Sequence, residues 1–148
     1  MKLLDTNVFV RYIVGVVVES DVRLVEHAAE VFESARNGTD EFTTTDAVIA
    51  EVVYVLTSST YQLSRQDVRD RLMTLLSLPG CAIPNRTVLL KALVMWESIP
   101  RLDFVDSHLV AIASREDSLT LVTFDTALAK SAGTQRWDFR PSDDPTME

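Results

Sequence analysis

Four acidic residues occupy positions that the neighbouring sequence marks as inward-facing or strand-terminal. Asp5 follows the apolar pair Leu3-Leu4, and Asp125 follows Leu121-Val122-Thr123-Phe124. Glu51 lies three residues after Val48 and four before Val55, while Asp106 precedes Leu109, Val110 and Ala113 by three, four and seven residues. Helical geometry stacks residues at those spacings along one stripe, so Glu51 and Asp106 are expected on the apolar stripes of their helices. Each acid also has an ordinary explanation. Asp5 and Asp125 are good helix N-caps, Glu51 can reach outward from a stripe border, and Asp106 can stabilise a first helical turn by under about 1 kcal/mol. Their joint occurrence points further. Acids are seldom buried unless paired, and two carboxylates about 5 Å apart repel by roughly 3 kcal/mol at an effective dielectric near 20. Four converging carboxylates therefore need a counter-charge, and hard oxygen donors select Mg²⁺ or Mn²⁺ over zinc.

Positioning these acids requires short strands alternating with helices. Lys2 to Leu4 reads as a short buried strand, and Val8, Phe9, Tyr12 and Ile13 as a helix closed by Gly15. Ser20-Asp21 opens a second helix through Phe32 that stops at Asn37-Gly38, and Phe42 to Thr45 reads as a strand. A third helix begins at Asp46. Ser64 with Asp67 resembles a capping box for a fourth helix ended by Pro79-Gly80. Cys81 to Ile83 is a further strand candidate, Val88 to Ile99 a fifth helix, and Asp103 the cap of a sixth. Leu119 to Phe124 reads as a strand buried on both faces, followed by a helix from Thr126 to Ala132 and an edge strand from Arg136 to Phe139. This alternation predicts an α/β fold: a mostly parallel central sheet of about four or five short strands flanked by helices. In such sheets ligands bind beyond the strands' carboxyl ends, where Asp5 and Asp125 stand.

The 148 residues suit one domain, expected over 1–140, with a polar, disordered tail over 141–148. With 47% hydrophobic and 24% charged residues the chain can bury a substantial core, which excludes disorder for its body. The longest apolar run, Tyr12 to Val18, is far too short to span a bilayer, and no secretion signal is visible, so a cytoplasmic protein without a membrane partner is expected. The single cysteine, Cys81, suits a reducing compartment and excludes a thiolate metal site. Fourteen basic against 22 acidic residues leave a net charge of −8. That balance disfavours nucleic acid bound through phosphates alone, although a bound cation reverses the local sign.

The segments Leu3-Leu4-Asp5-Thr6-Asn7-Val8, Ala50-Glu51-Val52, Leu102-Asp103-Phe104-Val105-Asp106-Ser107-His108-Leu109 and Leu121-Val122-Thr123-Phe124-Asp125 resemble the PIN-domain ribonucleases. Their order, spacing and chain length are similar to the VapC toxins of VapBC toxin-antitoxin pairs, from Met1 to about Phe139. The resemblance implies a PIN-like fold, Mg²⁺- or Mn²⁺-dependent endoribonuclease activity, a homodimer, and inhibition by a cognate VapB-like antitoxin. It implies that Asp5, Glu51, Asp106 and Asp125 are the catalytic and metal-binding acids. Thr6, Asn7, Asp103 and Thr123 would orient them, with RNA hydrolysed by in-line attack of water to leave a 5′-phosphate. Val16-Val17-Val18, in a loop expected to be polar, and Ser107, in place of a common alanine, depart from the pattern.

Other readings fare less well. A phosphohydrolase of small phosphate esters, of the haloacid-dehalogenase type, would need a second aspartate where Asn7 stands, and receiver domains need a paired aspartate and a later lysine out of register here. A non-catalytic PIN-like binding module would not need all four acids. His27 and His108 are expected at the surface or in packing, and Trp96 and Trp137 in the core. Arg65, Arg69 and Arg71 alternate with Asp67 and Asp70, as on a solvated face with local ion pairs. Arg11 is a candidate to reach RNA or an antitoxin acid.

Overall fold

A computed structural model describes residues 1–132 and 136–137. β1 (Lys2–Leu3) leads into α1 (Thr6–Val14), which ends at Gly15 with φ +78°, a conformation glycine adopts without steric cost. A single 3-10 turn, Glu19–Asp21, precedes α2 (Val22–Arg36). β2 (Phe42–Thr43), α3 (Asp46–Thr57), α4 (Arg65–Leu76), α5 (Arg86–Ser98) and α6 (Phe104–Ala113) follow. β3 (Leu121–Val122), α7 (Thr126–Ala132) and β4 (Arg136–Trp137) complete the described order. The expected caps form: Ser64 Oγ accepts from Asp67 N at 3.1 Å, and Asp103 Oδ1 accepts from Asp106 N at 2.8 Å.

The strands are parallel, as expected, but the sheet is smaller. β1 pairs with β2 in the register Lys2↔Phe42 and Leu3↔Thr43, and Cys81 adds one parallel bridge to Phe42. β3 pairs with β4 as a second two-stranded unit. No continuous sheet of four or five strands forms among the described residues. The helices supply the core instead, so two-residue strands suffice to connect them. Burial also departs from expectation. Leu4, just past the strand, is buried, but both residues of β1 are exposed, Leu3 at 73%, so β1 is not the buried strand expected. Val122 and Phe124 are 62% and 79% exposed, so the Leu119–Phe124 segment is not buried on both faces. The expected tail at 141–148, the strand's extension to Phe139 and the side chain of Trp137 lie outside the described residues.

Phe9, Phe32 and Phe42 meet with ring centroids 5.4 to 6.2 Å apart and lock α1, α2 and β2 together. Ile49, Val52 and Leu56 carry α3 onto that cluster, while Leu102, Val110 and Leu128 form a smaller one beneath α6 and α7. Among the described residues no helix is long and apolar enough to cross a membrane.

Two arginines expected on a solvated face are structural instead. Arg71 Nη1 donates to Ile13 O at 3.2 Å. Arg65 lies over the Trp96 ring, 4.8 Å from its centroid, and donates to the carbonyls of Trp96, Leu102 and Pro100 at 2.5, 2.8 and 3.0 Å. Its guanidinium thus satisfies carbonyls that the end of α5 leaves without helical partners. Only Arg69 behaves as read, pairing with Asp70 and Glu97. Arg65→Ala is expected to cost about 2–3 kcal/mol, a fall of roughly 4–12 °C in Tm for a domain of this size. Arg65→Lys should recover under half of it, because an ammonium lacks the planar fork. Thermal melting of both variants checks this.

Candidate active site

Asp5 is held by its neighbours' backbone. Leu4 N donates to Thr43 O at 3.0 Å, and the buried Thr44 donates its hydroxyl to Leu4 O at 2.7 Å. The chain therefore leaves the sheet at a fixed point, and Asp5 Oδ1 caps α1 by accepting from Val8 N at 3.3 Å. Thr6, the first residue of α1, donates its hydroxyl to Glu51 Oε2 at 2.6 Å, tying α1 to α3. Glu51 itself is exposed: the buried stripe of α3 is Ile49, Val52, Val53 and Leu56, and Glu51 stands at its border.

A second group gathers at α6. Asp103 caps this helix, and the fully buried Ser107 donates to Asp103 O at 2.9 Å, which fixes the first turn. Asp106 is half-buried and Leu109 is 40% exposed, because the buried face of α6 runs through Phe104, Ser107, Val110, Ala111 and Ala113 and leaves both at its border. Burial raises the Asp106 carboxyl above the usual range. The charges of Asp103 and Asp125 push the same way, while hydrogen bonding to the Asp103 backbone opposes them. Asp125 caps α7 through Leu128 N at 2.8 Å, and its own N–H donates to Thr123 Oγ1 at 3.0 Å.

The structure thus assembles the expected residues in two parts, Thr6 with Glu51 and Asp103 with Asp106 and Asp125. As the side chains stand, no three His, Cys, Asp or Glu groups among the described residues lie within common reach of one ion. Asp5, Asp103 and Asp125 each have an oxygen committed to a helix cap. Asn7 is exposed and lines a cleft with Val8 and Arg11. The donor set nonetheless fits a hard cation by its chemistry. None of Asp5, Glu51, Asp103, Asp106 and Asp125 pairs with a described Lys or Arg, whereas Asp21, Asp40, Asp70 and Glu97 do. The mutual repulsion at Asp106 is the imbalance that a cation relieves.

The folded chain gives Arg11 an acidic partner, packs His108 as expected, and adds Thr44. Arg11 is engaged by the buried Asp21. His108 packs its ring against Phe104, with centroids 6.1 Å apart and planes 11° from parallel, and its Nε2 lies 3.5 Å from Asp46 Oδ2. The approach brings α6 beside the start of α3 without a hydrogen bond at Nε2, a proximity no sequence spacing announces. Thr44 was legible in principle, since it follows β2 at a strand's carboxyl end, the rule that selected Asp5.

The α/β domain thus carries carboxylates without Lys or Arg partners among the described residues, beyond its strand ends and along α3 and α6. The PIN domain family model matches residues 2–133, and the chain belongs to that family. No curated protein matches it. PIN domains are generally nucleases and typically use divalent metals.

Proposed function

We propose that this PIN domain is a metal-dependent endoribonuclease of the cytoplasm, the VapC-like toxin of a toxin-antitoxin pair. The observation that carries this reading is the placement of Asp5, Glu51, Asp106 and Asp125 at strand ends and along α3 and α6, without Lys or Arg partners among the described residues, with Asp106 half-buried. Asp5, Glu51, Asp106 and Asp125 would hold Mg²⁺ or Mn²⁺. When bound, such a cation acidifies water and offsets charge on the phosphoryl oxygens. The protein's own residues prepare the site. Thr6 holds one oxygen of Glu51 and leaves the other open. Thr123 and the α7 cap set the Asp125 backbone, and Ser107 and Asp103 hold the turn that presents Asp106. The resemblance adds a homodimer and a VapB-like antitoxin as partners. Val16, Val17 and Val18, each more than half exposed, offer an apolar loop for such an interface.

Cleavage of single-stranded RNA is expected with Mg²⁺ or Mn²⁺ and is expected to cease in EDTA. Metal at 100 times its Kd should add about 2.7 kcal/mol to stability, raising Tm by roughly 5–11 °C. An unchanged Tm together with no calorimetric metal binding overturns the metal site. Metal binding without RNA cleavage overturns the ribonuclease.

A further inference from the structure

The acidic site raises a problem of affinity. A chain of charge −8 has little to offer a polyanion, because phosphate affinity rests on lysine and arginine displacing counterions. Several arginines are already engaged: Arg11 by Asp21, Arg65 by backbone carbonyls, Arg69 by Asp70 and Glu97. Contact with the bases remains as a source of binding energy.

Tyr54 is placed to make that contact. It lies three residues after Glu51 on α3, hence on the same side of the helix, and it is 76% exposed. Its ring borders an open cavity of about 340 Å³ that runs between α3 and the start of α6. Val53, Trp96, Phe104 and Val105 give the cavity apolar walls, and Asp103, which caps the helix of Asp106, stands at its rim. The cavity thus has an aromatic edge one helical turn from Glu51 and an acidic edge one turn from Asp106.

We propose that Tyr54 is a base-stacking subsite, taking a nucleobase of single-stranded RNA next to the phosphate presented to the acids. The inference rests on the ribonuclease reading and adds to it a source of substrate affinity that does not depend on charge in an acidic protein. A ring face accepts any base, since every base has a π-face. The subsite therefore favours unpaired RNA without dictating sequence, and duplex RNA, whose bases are stacked on one another, is a poor ligand.

The test measures binding in EDTA, where no cleavage occurs, using a labelled single-stranded oligoribonucleotide and an abasic oligomer of equal length and charge. Wild type should bind the intact strand about tenfold more tightly than the abasic one. Tyr54→Ala should lose that preference, and Tyr54→Phe should keep it, because stacking needs the ring and not the hydroxyl. With metal present, Tyr54→Ala should raise KM more than it lowers kcat. Its Tm should match wild type, since the ring is exposed, and Tyr54→Phe keeps the test valid if the alanine variant fails to fold. Equal preference in wild type and Tyr54→Ala overturns the subsite while leaving cleavage, and so the ribonuclease reading, intact. Loss of preference in Tyr54→Phe as complete as in Tyr54→Ala also overturns stacking. A concentration-dependent dimer that Tyr54→Ala dissociates, with RNA preference unchanged, assigns the ring to contact with a second copy and overturns it too. Absence of both RNA binding and cleavage in wild type overturns the subsite together with the reading beneath it.

Discussion

Asp106→Asn is expected to reduce RNA cleavage on the order of 100-fold or more while leaving the metal-free protein as stable as wild type, or more so. Changing a group that merely orients a metal ligand costs about 10–100-fold, and Asp106 is proposed above as a ligand. The stability half follows from charge. Asp106 is half-buried beside two other carboxylates, and its carboxyl is raised above the ordinary value. Between the unfolded and the raised folded pKa the native state holds the extra proton, so stability falls as pH rises through that window and the penalty is complete above it. Asparagine carries no charge and removes that dependence. Asp103→Asn is the matched control. Asparagine is also a good N-cap, so the bond from Asp106 N should survive, most activity should remain, and Asp106 should become easier to ionise. Cleavage rates and metal-free melting from pH 4 to 8 check both variants. Wild-type cleavage by Asp106→Asn combined with inactivity of Asp103→Asn would transfer the third acid to Asp103.

Gly80→Ala is expected to destabilise the fold by about 3 kcal/mol or more, at the upper end of overpacking costs. Gly80 N donates to Ala35 O at 2.9 Å, and Gly80 O accepts from Phe42 N at 2.9 Å, so its backbone is clamped between the end of α2 and β2. A Cβ there would run into the Asp40 carbonyl oxygen and stand 2.8 Å from the Ala35 Cα, both of them backbone atoms that cannot swing aside. Relief requires moving β2, and with it Thr44, whose hydroxyl holds the Leu4 carbonyl just before Asp5. The variant should therefore lose activity along with stability. A urea midpoint equal to wild type would show that the α2–β2 crossing is looser than these contacts make it.

The sequence by itself determined the helices and their caps, and it singled out the acids as candidates. Amphipathic spacing placed α1, α4 and α6, and the short-range chemistry of Asp5, Ser64 and Asp103 placed their starts, because a cap involves only residues three apart. The acids were legible for the same local reason, their position after strands or beside apolar stripes. Only tertiary structure decided how far the strands extend, which arginines are structural, and which acids meet. Pairing and burial depend on elements distant in sequence: Arg65 on the end of α5, His108 on Asp46, Thr6 on Glu51, Asp106 on Asp125. The expected burial of Leu3 and Val122 failed because hydrophobicity records what a side chain favours, while exposure is set by whether another element covers it.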